Sequence, residues 1–246
     1  MQAYCPSTER VIGGGGYIQE VSGTDHKPTL TELRPIYRYD GTRDAFRVTA
    51  AETPLGTPET WLVQAYAVCV PKVQLHNWVI VPATSPLSSN AVQAKAAVCP
   101  AGRRVLGTGI SVSDPFGGVV LQVTRPSAPG DIARAQAREG VNGYAPNWSV
   151  TAYAICADPP PGYVIPPFGQ SLGSDSESWK IAGSTCPAGK YAHSAGAALN
   201  NLAPANVSLQ AVFPAGGGRS SQAIAVENTP TTEDWDYIVA SVVCAS

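Results

Sequence analysis

Residues 37–44, Tyr-Arg-Tyr-Asp-Gly-Thr-Arg-Asp, put phenol rings, guanidinium groups and carboxylates side by side in one short stretch. Such a set suits sugar recognition: rings cover apolar C–H faces while charged planar groups bind vicinal hydroxyls. Tyr37, Arg38, Tyr39, Asp40, Arg43 and Asp44 are therefore the leading ligand-binding candidates, joined by Asp25 and His26 from the stretch ahead. Asp40-Gly41 is a hairpin-turn signal, so the segment is expected to project between strands. The plainer reading of the same residues is a solvated hairpin whose charges pair locally. Carboxylate pairs such as Asp40 with Asp44 would also suit glycan hydrolysis.

A second candidate set is spread along the chain. Glu52, Glu139 and Glu227 each stand 17 residues before a cysteine, at Cys69, Cys156 and Cys244. They could accept hydrogen bonds from loop amides or from sugar hydroxyls. Other chemistry finds little support. His26, His76 and His193 stand far apart, and no nucleophile elbow, His-Glu-x-x-His or phosphate loop accompanies them. Ser194, beside His193, occupies a position that is glycine in the equivalent segments and reads as a packing variant. No catalytic residue, cofactor or metal is assigned, and an enzyme is not expected.

The elements that must hold these residues come from an internal repeat. Cys99-Pro-Ala-Gly102 recurs as Cys186-Pro-Ala-Gly189, with Cys5-Pro6 as a degenerate first copy. Gly15, Gly109 and Gly196 follow ten positions after these cysteines, and Leu-x4-Pro appears at Leu30, Leu121 and Leu209. Trp61, Trp148 and Trp235 stand 87 residues apart. The units are 1–69, 70–156 and 157–246, and a residue shared by all three most economically serves the fold. Unit one is longer by seven residues between its first cysteine and its tryptophan, and the hairpin candidates fall within that extra length.

The units read as β-strands. Trp148 to Cys156 alternates, with Val150, Ala152, Ala154 and Cys156 on one face. Ile132–Glu139 has helix-forming Ala and Arg, yet its counterpart Phe46–Ala50 is aromatic and β-branched, so strand is expected in both. Trp235 to Cys244 carries one extra residue, read as a bulge in that strand. Two further strands per unit are expected around Tyr163-Val-Ile and Trp179-Lys-Ile-Ala. Three cores share only two spacers, which favours one closed body over three tandem small β-sandwich domains with a raw edge. The expected fold is all-β, with three repeats in one pseudo-three-fold, disulfide-stapled domain spanning 1–246.

Cys5, Cys69, Cys99, Cys156, Cys186 and Cys244 are expected to pair, which implies an oxidising compartment. Symmetry leaves two sets: pairing within units, or a permuted set joining Cys5 to Cys244. The first is preferred because it ties the first and last strands of each unit. Without Cys-x2-Cys spacing, zinc is not expected. Met1-Gln-Ala-Tyr4 is no secretory leader, and the expectation is that one has been removed from an exported protein. A net charge of −2 with 14% charged residues gives no footprint for nucleic acid, and no apolar run would span a membrane.

At the Cys-Pro-x-Gly, Gly-x-Gly and Trp-x-Val-x-Ala-Tyr-Ala-x-Cys landmarks the sequence resembles a repeat of exported actinobacterial proteins of unknown function. At fold level, three disulfide-bearing β units resemble the β-prism of vitelline membrane outer layer proteins and jacalin-type lectins. The expected function is a non-enzymatic, lectin-like extracellular module that binds carbohydrate or a cell-surface glycoconjugate. The alternatives are a surface or virion assembly protein, self-associating through Trp78–Pro82 and Tyr163–Pro167, and a glycan-cleaving hydrolase.

Overall fold

The computed structural model describes residues 1–20, 28–58, 60–113, 116–171, 173–200 and 205–246; Asp25 and His26 lie outside them. Unit one supplies β1 (Gln2–Tyr4), β2 (Glu9–Glu20), β3 (Thr29–Ile36), β4 (Ala45–Ala51) and β5 (Trp61–Pro71). Unit two supplies β6 (Val79–Thr84), β7 (Val92–Val98), β8 (Arg104–Val112), β9 (Val119–Pro126), β10 (Ile132–Glu139) and β11 (Val150–Ala157). Unit three supplies β12 (Gly169–Gln170), β13 (Trp179–Thr185), β14 (Tyr191–Leu199), β15 (Val207–Ala215), β16 (Ser220–Glu227) and β17 (Ile238–Ala245). The segment 132–139 is a strand, as the repeat implies. Ala133, Ala135 and Ala137 turn into the core and Arg134 turns out, so the neighbouring sheet overrides helix propensity.

The strands form three antiparallel sheets. Sheet I runs β1-β4-β3-β8-β11-β6, sheet II runs β12-β17-β14-β9-β10-β7, and sheet III runs β13-β16-β15-β2-β5. Every sheet joins the outer pair of one unit to the inner hairpin of another. β8 and β11 meet β3 and β4, β14 and β17 meet β9 and β10, and β2 and β5 meet β15 and β16. The exchange is cyclic, which gives a prism with pseudo-three-fold symmetry. Tandem sandwiches would keep each unit's strands to themselves, and here no unit completes a sheet alone.

At each junction the ladder between units is short: Ala211↔Tyr17 and Val212↔Gly16, Glu32↔Ser111 and Leu33↔Ile110, Ala197↔Thr124 and Ala198↔Val123. The repeated glycines sit at these seams. A Cβ on Gly15 would lie 2.0 Å from the Val212 carbonyl oxygen, and on Gly109 or Gly196 it would lie 2.7 Å from Leu33 O or Thr124 O. Only a residue without a side chain allows this approach of two backbones. Gly13 and Ser194 also pack together, since a Cβ on Gly13 would fall 2.7 Å from Ser194 Cβ. Ser194 is buried there, as a packing residue.

The disulfides are Cys5–Cys69, Cys99–Cys156 and Cys186–Cys244, the within-unit set, each with Cα atoms 5.7 Å apart. Each links the segment after an edge strand of one sheet to the last strand of another, so all three corners are stapled. Three disulfides with no free cysteine fit an extracellular or otherwise oxidising environment. Among the described residues no helix is long and apolar enough to cross a membrane.

Two details differ from the sequence expectation. The extra residue of unit three lies between Trp235 and the start of β17, not as a bulge within it. Register shifts fall instead near the disulfides, between Val11 and Gly13, Ile155 and Cys156, and Ala192 and Ser194, and in the three inner hairpins, between Leu30 and Glu32, Gln136 and Ala137, and Leu209 and Ala211. Tyr163-Val-Ile forms a single bridge, Val164↔Cys244, where its counterpart β6 makes a full ladder.

The seams yield a stability prediction. Gly15→Ala should lower unfolding free energy by about 1–3 kcal/mol through overpacking against a backbone that cannot retreat. Gly183→Ala, where a Cβ meets nothing nearer than 3.6 Å, should be close to neutral. Urea melts of the two variants decide it.

Candidate functional site

Residues 37–44 form the connection between β3 and β4, as expected. Asp40 accepts hydrogen bonds from the amides of Thr42 and Arg43, the Thr42 hydroxyl and Arg43 Nε. The Arg43 amide and guanidinium hold its carboxyl well below the usual range. Asp44 is fully buried and accepts from the amides of Val11 and Arg38 and from Arg10 Nη1 at 3.3 Å. Asp40 thus binds the loop itself, and Asp44 ties the loop to β2. What remains outward is a ledge of rings and cations: Arg10 lies 4.9 Å from the Tyr37 and Trp78 rings, and Arg43 4.6 Å from Tyr4, which packs edge-on to Tyr39.

The repeated glutamates serve their own units. Glu52 and Glu139 accept from the indole N–H of Trp61 and Trp148, and Glu227 accepts from the Thr231 amide. In unit three the Trp235 indole instead donates to the Glu177 carbonyl. Trp78 and Tyr163, from the two spacers, cap the disulfide end of the prism. Their polar atoms donate to the carbonyls of Val11 and Val105, so these rings lie down on the molecule.

The three outer sheet faces share one frame and differ in chemistry. Counting from the Leu-x4-Pro landmarks, Glu32, Val123 and Ala211 are equivalent, as are Arg34, Arg125 and Phe213. Directly across lie Arg47, Arg134 and Gln222. The tyrosine of the Ala-Tyr-Ala motif occurs as Tyr66 and Tyr153, but unit three has Ser241. On sheet I, Glu32 bridges Arg34 at 2.9 Å and Arg47 at 2.8 Å, and Arg34 donates to the Tyr153 hydroxyl. On sheet III, Tyr17, Tyr66 and Phe213 stack together without charge.

On sheet II the arginine pair remains but its counter-ion does not. Val123 stands where Glu32 would, and no ion pair to Arg125, Arg134 or Lys95 exists among the described residues. Arg125 Nε is buried without a hydrogen-bond partner. Burial, and then the like charge of Arg134, lower the Arg125 pKa, which nonetheless leaves the group charged at neutral pH. Small residues Ala94, Ala96 and Ala198 leave a groove of about 870 Å³ over these cations. Phe168 from the spacer walls it, 4.9 Å from the Arg125 guanidinium, and no carboxylate lines it. No family model matches the chain, and no curated protein matches it.

Sequence reasoning missed this groove because Arg125 and Arg134 lie on different strands and only cross-strand register brings them together. The signal was present in two departures from the repeat, Val123 for Glu32 and Ser241 for tyrosine. The groove offers charge and hydrogen-bond donors to an anion, and Phe168 and Tyr237 offer ring faces.

His193 stands apart from these sites on β14. Burial pushes its pKa down to about 4, below the ordinary 6.5. A depressed histidine contributes stability that is present above pH 6.5 and is lost as pH falls toward 4, about 3 kcal/mol at the limit. His193→Leu should therefore flatten the urea-midpoint profile between pH 7 and 4.5. An unchanged slope would assign acid sensitivity to the carboxylates instead.

Proposed function

We propose that this protein is a non-enzymatic extracellular binding module that recognises an anionic carbohydrate in the sheet II groove. The observation that carries this reading is the arginine pair Arg125/Arg134, which has lost the glutamate that neutralises the same pair on sheet I. Two guanidinium groups side by side repel, and a ligand carboxylate or sulfate would supply the charge that Glu32 supplies internally. Phe168 and Tyr237 offer faces for sugar rings, and Gln136 and Asn200 lie within the same lining for hydroxyls. Export from the cell accords with the three disulfides.

The test is a glycan panel containing neutral, uronic-acid-bearing and sulfated oligosaccharides. Acidic members should bind with an affinity that falls as salt rises. Arg125→Ala and Arg134→Ala should each weaken binding about tenfold to a hundredfold, the loss of a charge-assisted hydrogen bond. Val123→Glu should abolish it by restoring the internal counter-ion while the protein stays folded. Changing Tyr37 and Tyr39 to Ala should leave it intact. Equal binding of neutral glycans, or binding that survives both arginine variants, would move the site to the Tyr37–Asp44 hairpin.

A further inference from the structure

Beside the sheet II groove lies a second recess, at the corner where β12, the edge of sheet II, meets β13, the edge of sheet III. It measures about 340 Å³ and is lined by Gln170, Ser171, Glu177, Trp179, Lys180 and Ile181. Two of these are spent on the fold. The Ser171 hydroxyl accepts from the Ile238 amide, and Lys180 donates to the Trp235 carbonyl at 2.6 Å and pairs with Asp175 at 2.7 Å. The Glu177 carboxylate has neither an ion pair nor a hydrogen bond among the described residues. Trp179 is 52% exposed, whereas Trp148 and Trp235 are 0% and 1% exposed. Its ring meets no other ring among the described residues, and its indole N–H has no acceptor there.

The corresponding corner of unit two lacks this set. Gln170 pairs with Val239, five residues before Cys244, as Thr84 pairs with Thr151, five residues before Cys156. Trp179 and Val92 each pair with the residue ahead of a repeated glutamate, and Glu177 and Asn90 stand two positions before them. Unit two thus has threonine, asparagine and valine where unit three has glutamine, glutamate and tryptophan. The Thr84 hydroxyl is bonded to that of Thr151 at 2.9 Å, so it too serves the fold. The unit three set is therefore not a requirement of the scaffold. The recess also adjoins the groove. β12 alone separates them: Gln170 lines the recess, its partner Val239 lines the groove, and Phe168 walls the groove two residues earlier. From β9, which carries Arg125, through β14 and β17 to β12 is about 14 Å at the usual strand spacing, more than one sugar ring covers.

We infer that the corner recess is a second subsite of the sheet II groove, and that the ligand is a carbohydrate chain with an acidic residue over Arg125 and Arg134 and a neutral residue on Trp179. The inference rests on the reading of the groove as an acidic-glycan site and deepens it. An exposed indole offers an apolar face to a sugar ring and an N–H to its oxygens. Gln170 supplies an amide and Glu177 a charged acceptor for hydroxyls. The same carboxylate sets the neutrality of this subsite, because a uronate placed there would meet a like charge, and specificity is built as readily from repulsion as from attraction. Chains that mix acidic and neutral residues are therefore favoured over chains acidic throughout. One chain seated in both subsites makes its second contact intramolecularly, which raises affinity with length.

The probes are hyaluronan fragments, which alternate glucuronic acid with N-acetylglucosamine, and oligogalacturonates, which are acidic throughout, each series running from disaccharide to octasaccharide. With the oxidised protein, the alternating series should gain at least about tenfold in affinity from its shortest to its longest member. Only the longer fragments should shift the tryptophan emission, since no tryptophan lines the groove. Trp179→Ala should abolish both the length gain and the emission change, with an unchanged urea midpoint. Glu177→Gln should strengthen binding of the long oligogalacturonates about threefold to tenfold by removing the like charge. No length gain in the unaltered protein, or a gain that survives Trp179→Ala, overturns the second subsite and leaves the arginine groove standing. Absence of binding by every acidic fragment, the disaccharides included, overturns the groove reading itself and the subsite with it, so the two failures are distinct.

Discussion

Everything in this fold rests on the approach of two backbones at the seams between units. Where β2 meets β15, β8 meets β3 and β14 meets β9, a carbonyl oxygen occupies the space that a Cβ would take. The ladders there are short, so the joint depends on close contact more than on the number of hydrogen bonds. Because each unit shares strands with both others, a seam that opens releases two units at once. The disulfides act on the same weakness from outside, since each fixes the corner between two sheets. Interior and corners are therefore over-determined, and the outer faces are left free to differ.

That freedom explains why three equivalent surfaces carry three chemistries. The outward residues Glu32, Val123 and Ala211 of β3, β9 and β15 lie outside the central apolar cluster, so the same frame accepts different side-chain sets there. Sheet I spends the freedom on an internal ion network centred on Glu32. Sheet III spends it on an aromatic cluster, which is self-satisfied without charge. Sheet II keeps the cations without an internal partner and keeps space above them. A solvated arginine pair is tolerable, but a half-buried guanidinium with an orphaned Nε is a desolvation cost the fold does not need. The sheet I arrangement shows that a glutamate could have relieved it.

The spacers impose the second asymmetry. Each present spacer lays an aromatic ring on the disulfide end and pairs with the last strand of a unit, burying its tryptophan. β5 has no such partner among the described residues, and the inward pattern that is fully buried in β11 and β17 lies partly open there. The unpaired edge and the cationic groove lie on different sheets.

The sequence by itself determined the repeat, the all-β class, the strand nature of 132–139 and the structural status of Ser194. It did so because period and alternation are properties of local spacing, and three copies average out misleading propensities. It narrowed the cysteines to two symmetric sets and found the Tyr37–Asp44 turn, but it could not show that Asp40 is consumed by its own loop and Asp44 by the loop and β2 together. Which disulfide set forms depends on which strands share a corner, and that is decided only when units exchange strands. The same holds for the candidate sites. Arg125 and Arg134 are nine positions apart in sequence, and their meeting without a carboxylate is a property of cross-strand register. Likewise, the openness of β5 follows from which spacer covers which strand, a tertiary fact that no single unit's sequence contains.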